Sequence, residues 1–186
     1  MDRIIKELKK TLSHERFMHT LGVMYTAECL AMRYDVDMEK ARMAGLLHDC
    51  AKCLPKQEMQ RLVVDRGLSM TEAEKNNTGL LHSKAGRVLA EKRYGITDTE
   101  ILDAITWHTT GRPAMTTLEK IIYIADFIEP GRNKARNLSE ARRLAFRDLD
   151  ACMENILVNT LSYLKKAGRA VDPMTQKTYN DIRGKR

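Results

Sequence analysis

Leu46-Leu47-His48-Asp49-Cys50-Ala51-Lys52 places an imidazole and a carboxylate side by side at the end of a small apolar run. Burying such a pair is costly unless something compensates its polarity and charge. A divalent cation is one such partner, because histidine nitrogen and aspartate oxygen atoms are both normal metal ligands. The segment therefore predicts a metal site on a buried helix, built around His48 and Asp49.

Two more polar residues interrupt apolar helical stretches elsewhere in the chain. His19 lies in the predicted second helix, and Asp126 interrupts the apolar run of residues 121–128. No side chain one turn from Asp126 can neutralise it, and buried acids without local partners are candidates for function. Each residue alone also fits a structural role, either as a core histidine bonded to a carbonyl or as an acid in a cap or ion pair. Together with the doublet they indicate a site built from three helices.

Apolar residues recur at helical spacing along nearly the whole chain, and no stretch alternates in the manner of a strand. Ser13 is the predicted N-cap of the second helix. The stretch 76–79 (Asn-Asn-Thr-Gly) is typical of a helix breaker, so residues 71–81 stay unassigned. The pattern predicts an all-α fold, with the principal helices over residues 2–11, 14–33, 38–53, 83–94, 97–108, 116–128 and 138–166. In this prediction residues 1–168 form one domain and residues 169–186 a tail.

Length and composition limit the classes of protein to consider. The 186 residues suffice for about one domain, and 43% hydrophobic residues can form a core. The composition argues against a disordered chain and against a disulfide-stapled miniprotein. Thirty-two Lys and Arg against 25 Asp and Glu leave a net charge of +7, which favours an anionic partner, either a nucleic acid or a phosphorylated small molecule.

The sequence gives no sign of a membrane or secretory segment. No apolar run is long enough to span a bilayer, and the first residues lack the apolar region of a signal peptide. Four cysteines are compatible with a reducing compartment, so we expect a cytoplasmic protein with no membrane partner. Cys50 and Cys53 form a C-x-x-C pair without the strand setting or second pair that redox or zinc sites need, and we interpret them as incidental.

The basic residues between Arg132 and Arg147 raise the question of nucleic acid. They lack interleaved aromatic residues and any stacking platform. We therefore do not expect RNA or DNA as the partner.

The order His19, His48-Asp49, Asp126 resembles the H…HD…D signature of the HD-domain metal-dependent phosphohydrolases, and residues 46–52 match its LLHDxAK motif. Residues 80–82, 107–113 and 121–132 are similar to the YqeK branch, whose members hydrolyse diadenosine tetraphosphate symmetrically to two ADP. Residues 171–175 resemble the end of that branch. The resemblance spans roughly residues 14 to 180 and implies an HD-domain helical bundle.

The resemblance implies that four residues bind a divalent metal, namely His19, His48, Asp49 and Asp126. In this branch the metal is iron, although manganese or zinc suits the same ligands. With a second ion, Asp49 would be the bridging ligand and His82 and His108 its neighbours. With one ion, those two histidines would instead contact phosphate.

Catalytic roles follow from the residue types. A bound cation lowers the pKa of water, and Asp49 could orient that water or accept its proton. Lys52 lies one turn after His48 and could contact a phosphate, and His82 or His108 could donate toward the departing ADP. Lys52 also fits an ordinary solvated lysine.

Further residues are expected to bind the substrate. Arg16 and Arg132 could hold phosphate oxygens, although each also fits a solvated surface charge. By resemblance the tail closes over the nucleoside with the residues Arg169, Ala170, Val171, Asp172, Pro173 and Met174.

We therefore expect a hydrolase that converts a dinucleoside polyphosphate substrate to ADP. Two alternatives stay open at this point. One is another HD phosphohydrolase, acting on deoxynucleotides, guanosine alarmones or a cyclic dinucleotide. The other is a nucleotide-sensing module that binds without turnover. A homodimer is also left open.

Overall fold

The computed structural model of the protein describes residues 1–184, which hold eleven α-helices and no strand. The all-α prediction is confirmed. The helices are α1 (Asp2–Thr11), α2 (His14–Arg33), α3 (Met38–Leu47), α4 (Lys56–Asp65), α5 (Glu72–Asn76), α6 (Thr78–Tyr94), α7 (Thr99–Trp107), α8 (Thr117–Ile128), α9 (Leu138–Ala145), α10 (Leu149–Lys166) and α11 (Pro173–Gly184).

The centre of the molecule is α2, which packs against α3 and α8, while α7 packs against both α3 and α8. Fully buried aliphatic side chains such as Leu30, Leu46 and Ile121 fill the space between these helices. Burial of this apolar surface is the main driving force for the arrangement. On the outside, α6 lies between α4 and α7, and α10 joins α8 to α9 and α11.

Gly45 allows the close approach of α2 and α3. A Cβ atom at this position would lie 2.9 Å from the Cα atom of Met24, which is closer than packed atoms tolerate. The helices can therefore meet almost backbone to backbone. This contact brings the end of α3, and with it His48, next to the first half of α2.

Three helix boundaries differ from the sequence prediction. The third helix ends at Leu47, and residues 48–53 form turns instead of continuing it. The supposed breaker at 76–79 contains an N-cap, because the Asn77 side chain accepts a hydrogen bond from the Gly79 N–H and starts α6 there. The expected helix over 138–166 is two helices, since the Asp148 side chain accepts from the Ala151 N–H and caps α10.

The polar tail is mostly helical. Its helix α11 packs against α10, and the Thr178 hydroxyl donates to the Thr110 carbonyl over 3.0 Å. Before that helix, Asp172 is buried and accepts a hydrogen bond from the Thr71 hydroxyl over 2.8 Å. The tail is thus attached to the helical bundle at several points along its length.

Across residues 1–184 no helix combines the length and the apolar character that a bilayer crossing requires.

Candidate functional site

The six histidine and aspartate residues singled out from the sequence meet where five helices converge. His19 comes from α2 and Asp126 from α8, His48 and Asp49 follow α3, His82 comes from α6, and His108 follows α7. The imidazole rings form a chain, with centroids 5.4 Å apart for His19 and His48, 5.1 Å for His48 and His108, and 5.0 Å for His82 and His108. The predicted juxtaposition of the six residues is therefore present.

Two overlapping groups of these residues have metal-binding geometry. The ligand atoms of His19, His48 and Asp126 lie within 4.8 Å of one another, and so do those of His48, Asp49 and His108. The His19 Nε2 and Asp126 Oδ1 atoms are 2.9 Å apart. Both groups contain His48, whose Nδ1 is bonded to the Gly45 carbonyl. Its one remaining ring nitrogen can bind a single ion, so the two groups cannot both be filled through His48 at the same time.

Three buried atoms at this centre have no hydrogen-bond partner among the described residues, namely His19 Nε2, His48 Nε2 and Asp49 Oδ1. Two of these atoms have a close neighbour outside hydrogen-bond geometry: Asp126 Oδ1 lies 2.9 Å from His19 Nε2, and His82 Nε2 lies 2.9 Å from Asp49 Oδ1. Buried polar atoms are rarely left unpaired in folded proteins. Nitrogen and carboxylate oxygen donors of this kind suit a divalent transition metal, so the residues present fit such an ion.

Backbone carbonyls orient three of the histidines. The Nδ1 atom of His48 lies 2.7 Å from the Gly45 carbonyl, and that of His108 lies 2.7 Å from the Ile105 carbonyl. In His82 the corresponding distance, to the Thr78 carbonyl, is 3.2 Å. A proton on Nδ1 that donates to these oxygens leaves the Nε2 lone pair free to face the centre.

The fourth histidine is oriented by a residue that sequence reasoning missed. His19 Nδ1 lies 3.0 Å from Oε1 of Glu129, whose side chain is buried. The Gly131 N–H donates to the other carboxylate oxygen over 2.6 Å. The available signal was an acid directly after α8, within the stretch 121–132 already singled out, but nothing in the local sequence showed it to be buried.

Charges within the centre shift the pKa values of its acids. Burial alone would raise the pKa of Asp49, but the neighbouring His48 and His82 rings outweigh it and hold that pKa well below its usual range. Burial of Asp126 is likewise outweighed, chiefly by His19, and its pKa is lowered. Both carboxylates are therefore anions at neutral pH, as metal ligands must be.

The histidines deeper in the site are kept neutral. Burial, followed by the charges of His82 and His48, lowers the pKa of His108 to about 3. Burial also lowers the pKa of His82. In contrast, the carboxylates of Asp49 and Asp126 outweigh burial at His48 and raise its pKa.

Three cations surround the centre, as the sequence predicted. Arg16 Nη1 donates to Asp49 Oδ2 over 2.7 Å, and Lys52 Nζ lies 3.7 Å from Asp49 Oδ1. Arg132 Nη2 donates to Asp126 Oδ1 over 2.6 Å. The partner of Asp126 lies farther along the chain than the one turn considered from the sequence, because the turn after α8 brings back Arg132 from six positions away.

A cavity of about 280 Å³ opens onto this centre. Its lining includes seven of the predicted residues: Arg16, Asp49, Lys52, His82, His108, Asp126 and Arg132. Residues 169–174 are not among the lining residues. Arg169 instead lies over the ring of Tyr163, 5.8 Å from its centroid, and Pro173 begins α11. The role expected for the tail therefore stays a prediction.

Comparisons with known proteins point to one family. Residues 16–131 match the HD domain family. The chain is 42% identical over 173 residues to a Bacillus subtilis protein named "Bis(5'-nucleosyl)-tetraphosphatase, symmetrical", covering 93% of this chain and 92% of that protein. A Halalkalibacterium halodurans protein of the same name is 39% identical, over 97% and 95% of the two chains.

A solved structure shares the whole fold. It is a Clostridium acetobutylicum protein described as a "predicted HD superfamily hydrolase involved in NAD metabolism", with 42% identity and a TM-score of 0.96. The match covers 100% of this chain and 97% of the other.

Proposed function

Because this chain belongs to the HD domain family, we propose that it is a metal-dependent hydrolase that cleaves diadenosine tetraphosphate symmetrically and releases two ADP. The observation that carries the proposal is the convergence of His19 Nε2, His48 Nε2 and Asp49 Oδ1, all buried and without hydrogen-bond partners in the described chain. Asp49 lines a cavity that the cationic side chains of Arg16, Lys52 and Arg132 also line. Two relatives that match nearly the full length of this chain, at 42% and 39% identity, are named for this activity.

The metal ligands in this proposal are His19, His48, Asp49 and Asp126. When bound, a divalent metal polarises a phosphoryl group and lowers the pKa of water. We propose iron as the metal, and the same nitrogen and oxygen donors also accept manganese or zinc. Elemental analysis of protein purified without added metal tests that choice.

The cations neutralise the negative charge of the polyphosphate. Arg16 and Arg132 each use one nitrogen on a carboxylate, and both line the cavity. Their remaining N–H groups can bind phosphate oxygens in the planar fork geometry of the guanidinium group. Arg132 also donates from Nε to the Asp126 carbonyl over 2.9 Å, which fixes the plane of its side chain.

Lys52 is the group best placed to donate to the substrate. Its Nζ lies 3.3 Å from both ring nitrogens of His82, and burial lowers its pKa. A desolvated ammonium beside the cavity can donate to a phosphate oxygen that gains charge as the bond to the leaving ADP breaks. The pKa values of His82 and His108 are both lowered by burial, and their Nε2 atoms lie 3.0 Å apart. Neutral rings favour a role in binding metal or holding water over donation of a proton to ADP.

Asp49 is proposed to hold the attacking water. As an anion it accepts a hydrogen bond and can take the proton that the water loses on attack. The new bond joins the water oxygen to a phosphorus beside the central anhydride oxygen. The bond between that phosphorus and the central anhydride oxygen breaks. One ADP carries the oxygen of the water, and the other leaves with the central anhydride oxygen.

Product analysis tests the function. Protein loaded with iron(II), manganese(II) or zinc(II) is incubated with diadenosine tetraphosphate, and the nucleotides are separated by chromatography. We expect ADP as the sole product, lost in Asp49→Ala and retained in Asp65→Ala, a control on the surface of α4. ATP with AMP would refute symmetrical cleavage, and no turnover with any of these metals would refute the proposal.

The compartment we propose is the cytoplasm. The four cysteines are all unpaired, which agrees with a reducing environment. Detection of the tagged protein in cell fractions tests this assignment.

A further inference from the structure

A second and larger cavity adjoins the metal centre. This groove has a volume of about 1100 Å³ and lies between the first half of α2 and residues 130–135, which follow α8. It shares Arg16, Asp126, Phe127 and Arg132 with the smaller cavity, and His19 lines it as well. The two cavities therefore meet at the residues that surround the reacting atoms.

The smaller cavity cannot hold the whole substrate. Sites for small molecules typically have volumes of about 300–1,000 Å³, and a cavity of about 280 Å³ lies at the bottom of that range. A dinucleoside tetraphosphate carries two nucleosides and four phosphates. Symmetrical cleavage places its central anhydride at the metal, so the two halves must leave the centre in two directions.

The groove has surfaces suited to a nucleotide. Tyr25 and Met18, two helical turns apart on one face of α2, are 61% and 52% exposed and line it. An exposed aromatic ring of this kind is a stacking surface for a nucleobase. Lys134 adds a positive charge beside that of Arg132.

Two of the three acids in the groove face the metal centre. Asp126 pairs with Arg132 and His19, and Glu129 accepts from His19 and Gly131. The remaining acid is Glu15, next to Arg16 in the chain. Lys134 and the N–H groups of Arg16 and Arg132 that are not bonded to Asp49 or Asp126 remain as donors for a phosphate in the groove.

We propose that this groove binds the second nucleoside diphosphate half of the substrate, with Tyr25 stacked on its base. The proposal rests on the proposed hydrolysis of diadenosine tetraphosphate. The first half would occupy the smaller cavity, and the bond that is cleaved would lie at the edge that the cavities share.

The test compares two substrates in the metal-loaded enzyme. Diadenosine tetraphosphate has a base for each cavity, whereas adenosine 5′-tetraphosphate has only one nucleoside. Tyr25→Ala should lower kcat/KM about tenfold for the first substrate, because the stacked base loses its partner. It should leave the value for the second substrate unchanged. Tyr25→Phe keeps the ring and should retain wild-type values, and Met32→Ala is a control at an exposed position of α2 outside the groove.

Each outcome decides the matter. A fall in kcat/KM of Tyr25→Ala that is confined to diadenosine tetraphosphate supports the groove assignment. An equal fall with both substrates, or no fall with either, overturns it. If the wild type does not cleave adenosine tetraphosphate, its inhibition constant replaces kcat/KM and should be unchanged in Tyr25→Ala. A wild-type enzyme inactive on diadenosine tetraphosphate would instead refute the proposed function, a result distinct from failure of the groove.

Discussion

His19 Nδ1 and Glu129 Oε1 lie 3.0 Å apart, and this contact makes His19 the one histidine of the centre that a carboxylate orients. The other three use backbone carbonyls. A carboxylate partner fixes the proton on Nδ1 and makes the opposite nitrogen a stronger metal ligand. We therefore infer that Glu129 is a positioning residue, which would act through His19 on a metal bound at the proposed site.

Glu129→Gln should weaken metal binding by about 10- to 100-fold. The amide can donate its own N–H to Nδ1, which would move the histidine proton to the nitrogen that faces the metal. The measurement is a competition titration of metal-free protein against a chelator of known affinity. Glu140→Gln, at a partly exposed surface position on α9, is the matched control. An unchanged dissociation constant in Glu129→Gln would contradict the assignment.

Gly22 on α2 is the steric counterpart of Glu129. A Cβ atom at this position would lie 2.5 Å from Glu129 Oε2, which the Gly131 N–H already holds. Gly22→Ala should therefore displace the carboxylate, weaken metal binding and lower the free energy of unfolding by about 1–3 kcal/mol. Gly184→Ala meets no atom within 4 Å and should change neither property. Replacing Gly by Ala within a helix normally raises the free energy of unfolding, because Ala has the higher helix propensity. A Gly22→Ala variant more stable than the wild type would therefore refute this account.

The proposed metal ligands could be singled out from the sequence because each is a polar residue in an apolar helical context. His48, Asp49 and Asp126 stand out from their neighbours, and burial of such groups requires compensation. Glu129 lacks this contrast, since it follows a helix and precedes a proline and a glycine, where a charged residue is ordinary. Its burial depends on the approach of α2, a tertiary contact that local sequence does not encode.

Two of the three helix boundaries that differ from the prediction depend on side-chain caps. Asn77 accepts a backbone hydrogen bond and starts α6 in a segment whose helical pattern is ambiguous. Asp148 likewise starts α10 in a segment whose helical pattern is continuous. Apolar periodicity continues across such a cap, so it cannot locate one by itself. The helix of the tail was missed for a similar reason, because α11 depends on contacts with α10 and with Thr110.

The cysteines should separate into two reactive and two protected thiols. Cys29 and Cys53 are exposed, whereas Cys50 and Cys152 are buried. Burial raises the pKa of Cys50, and it raises that of Cys152 to about 12. Since the thiolate is the reactive form, raising the pH from 7 to 9 should leave these two unmodified in the folded protein.

Titration with a disulfide reagent measures this difference. The native protein should consume two equivalents rapidly at either pH, and the protein in denaturant should consume four. Cys50→Ser should leave the native count unchanged, while Cys53→Ser should reduce it by one. Rapid modification of Cys50 in the native protein would contradict its burial and revive a redox role for the C-x-x-C pair.

Arg142 holds the segment that carries both Glu129 and Arg132. Its guanidinium donates over 2.9 Å to each of three backbone carbonyls, those of Ile128, Glu129 and Arg132. Arg142→Ala leaves these acceptors without their donor, so we expect a loss of about 2 kcal/mol in the free energy of unfolding. Denaturant titration measures that loss.

The same substitution should also reduce activity in a recognisable way. With the segment released, Glu129 no longer fixes His19 and Arg132 no longer holds its place beside Asp126, so metal affinity and kcat should both fall. Excess metal should restore part of the activity, because it compensates the weaker metal binding but not the displacement of Arg132. Arg142→Lys should not rescue the protein, since one ammonium cannot match the planar array of three acceptors. Arg143→Ala removes a half-exposed neighbour that pairs with Glu140. It should behave as wild type, and equal losses in the two alanine variants would show that the effect comes from reduced positive charge and not from the three carbonyl bonds.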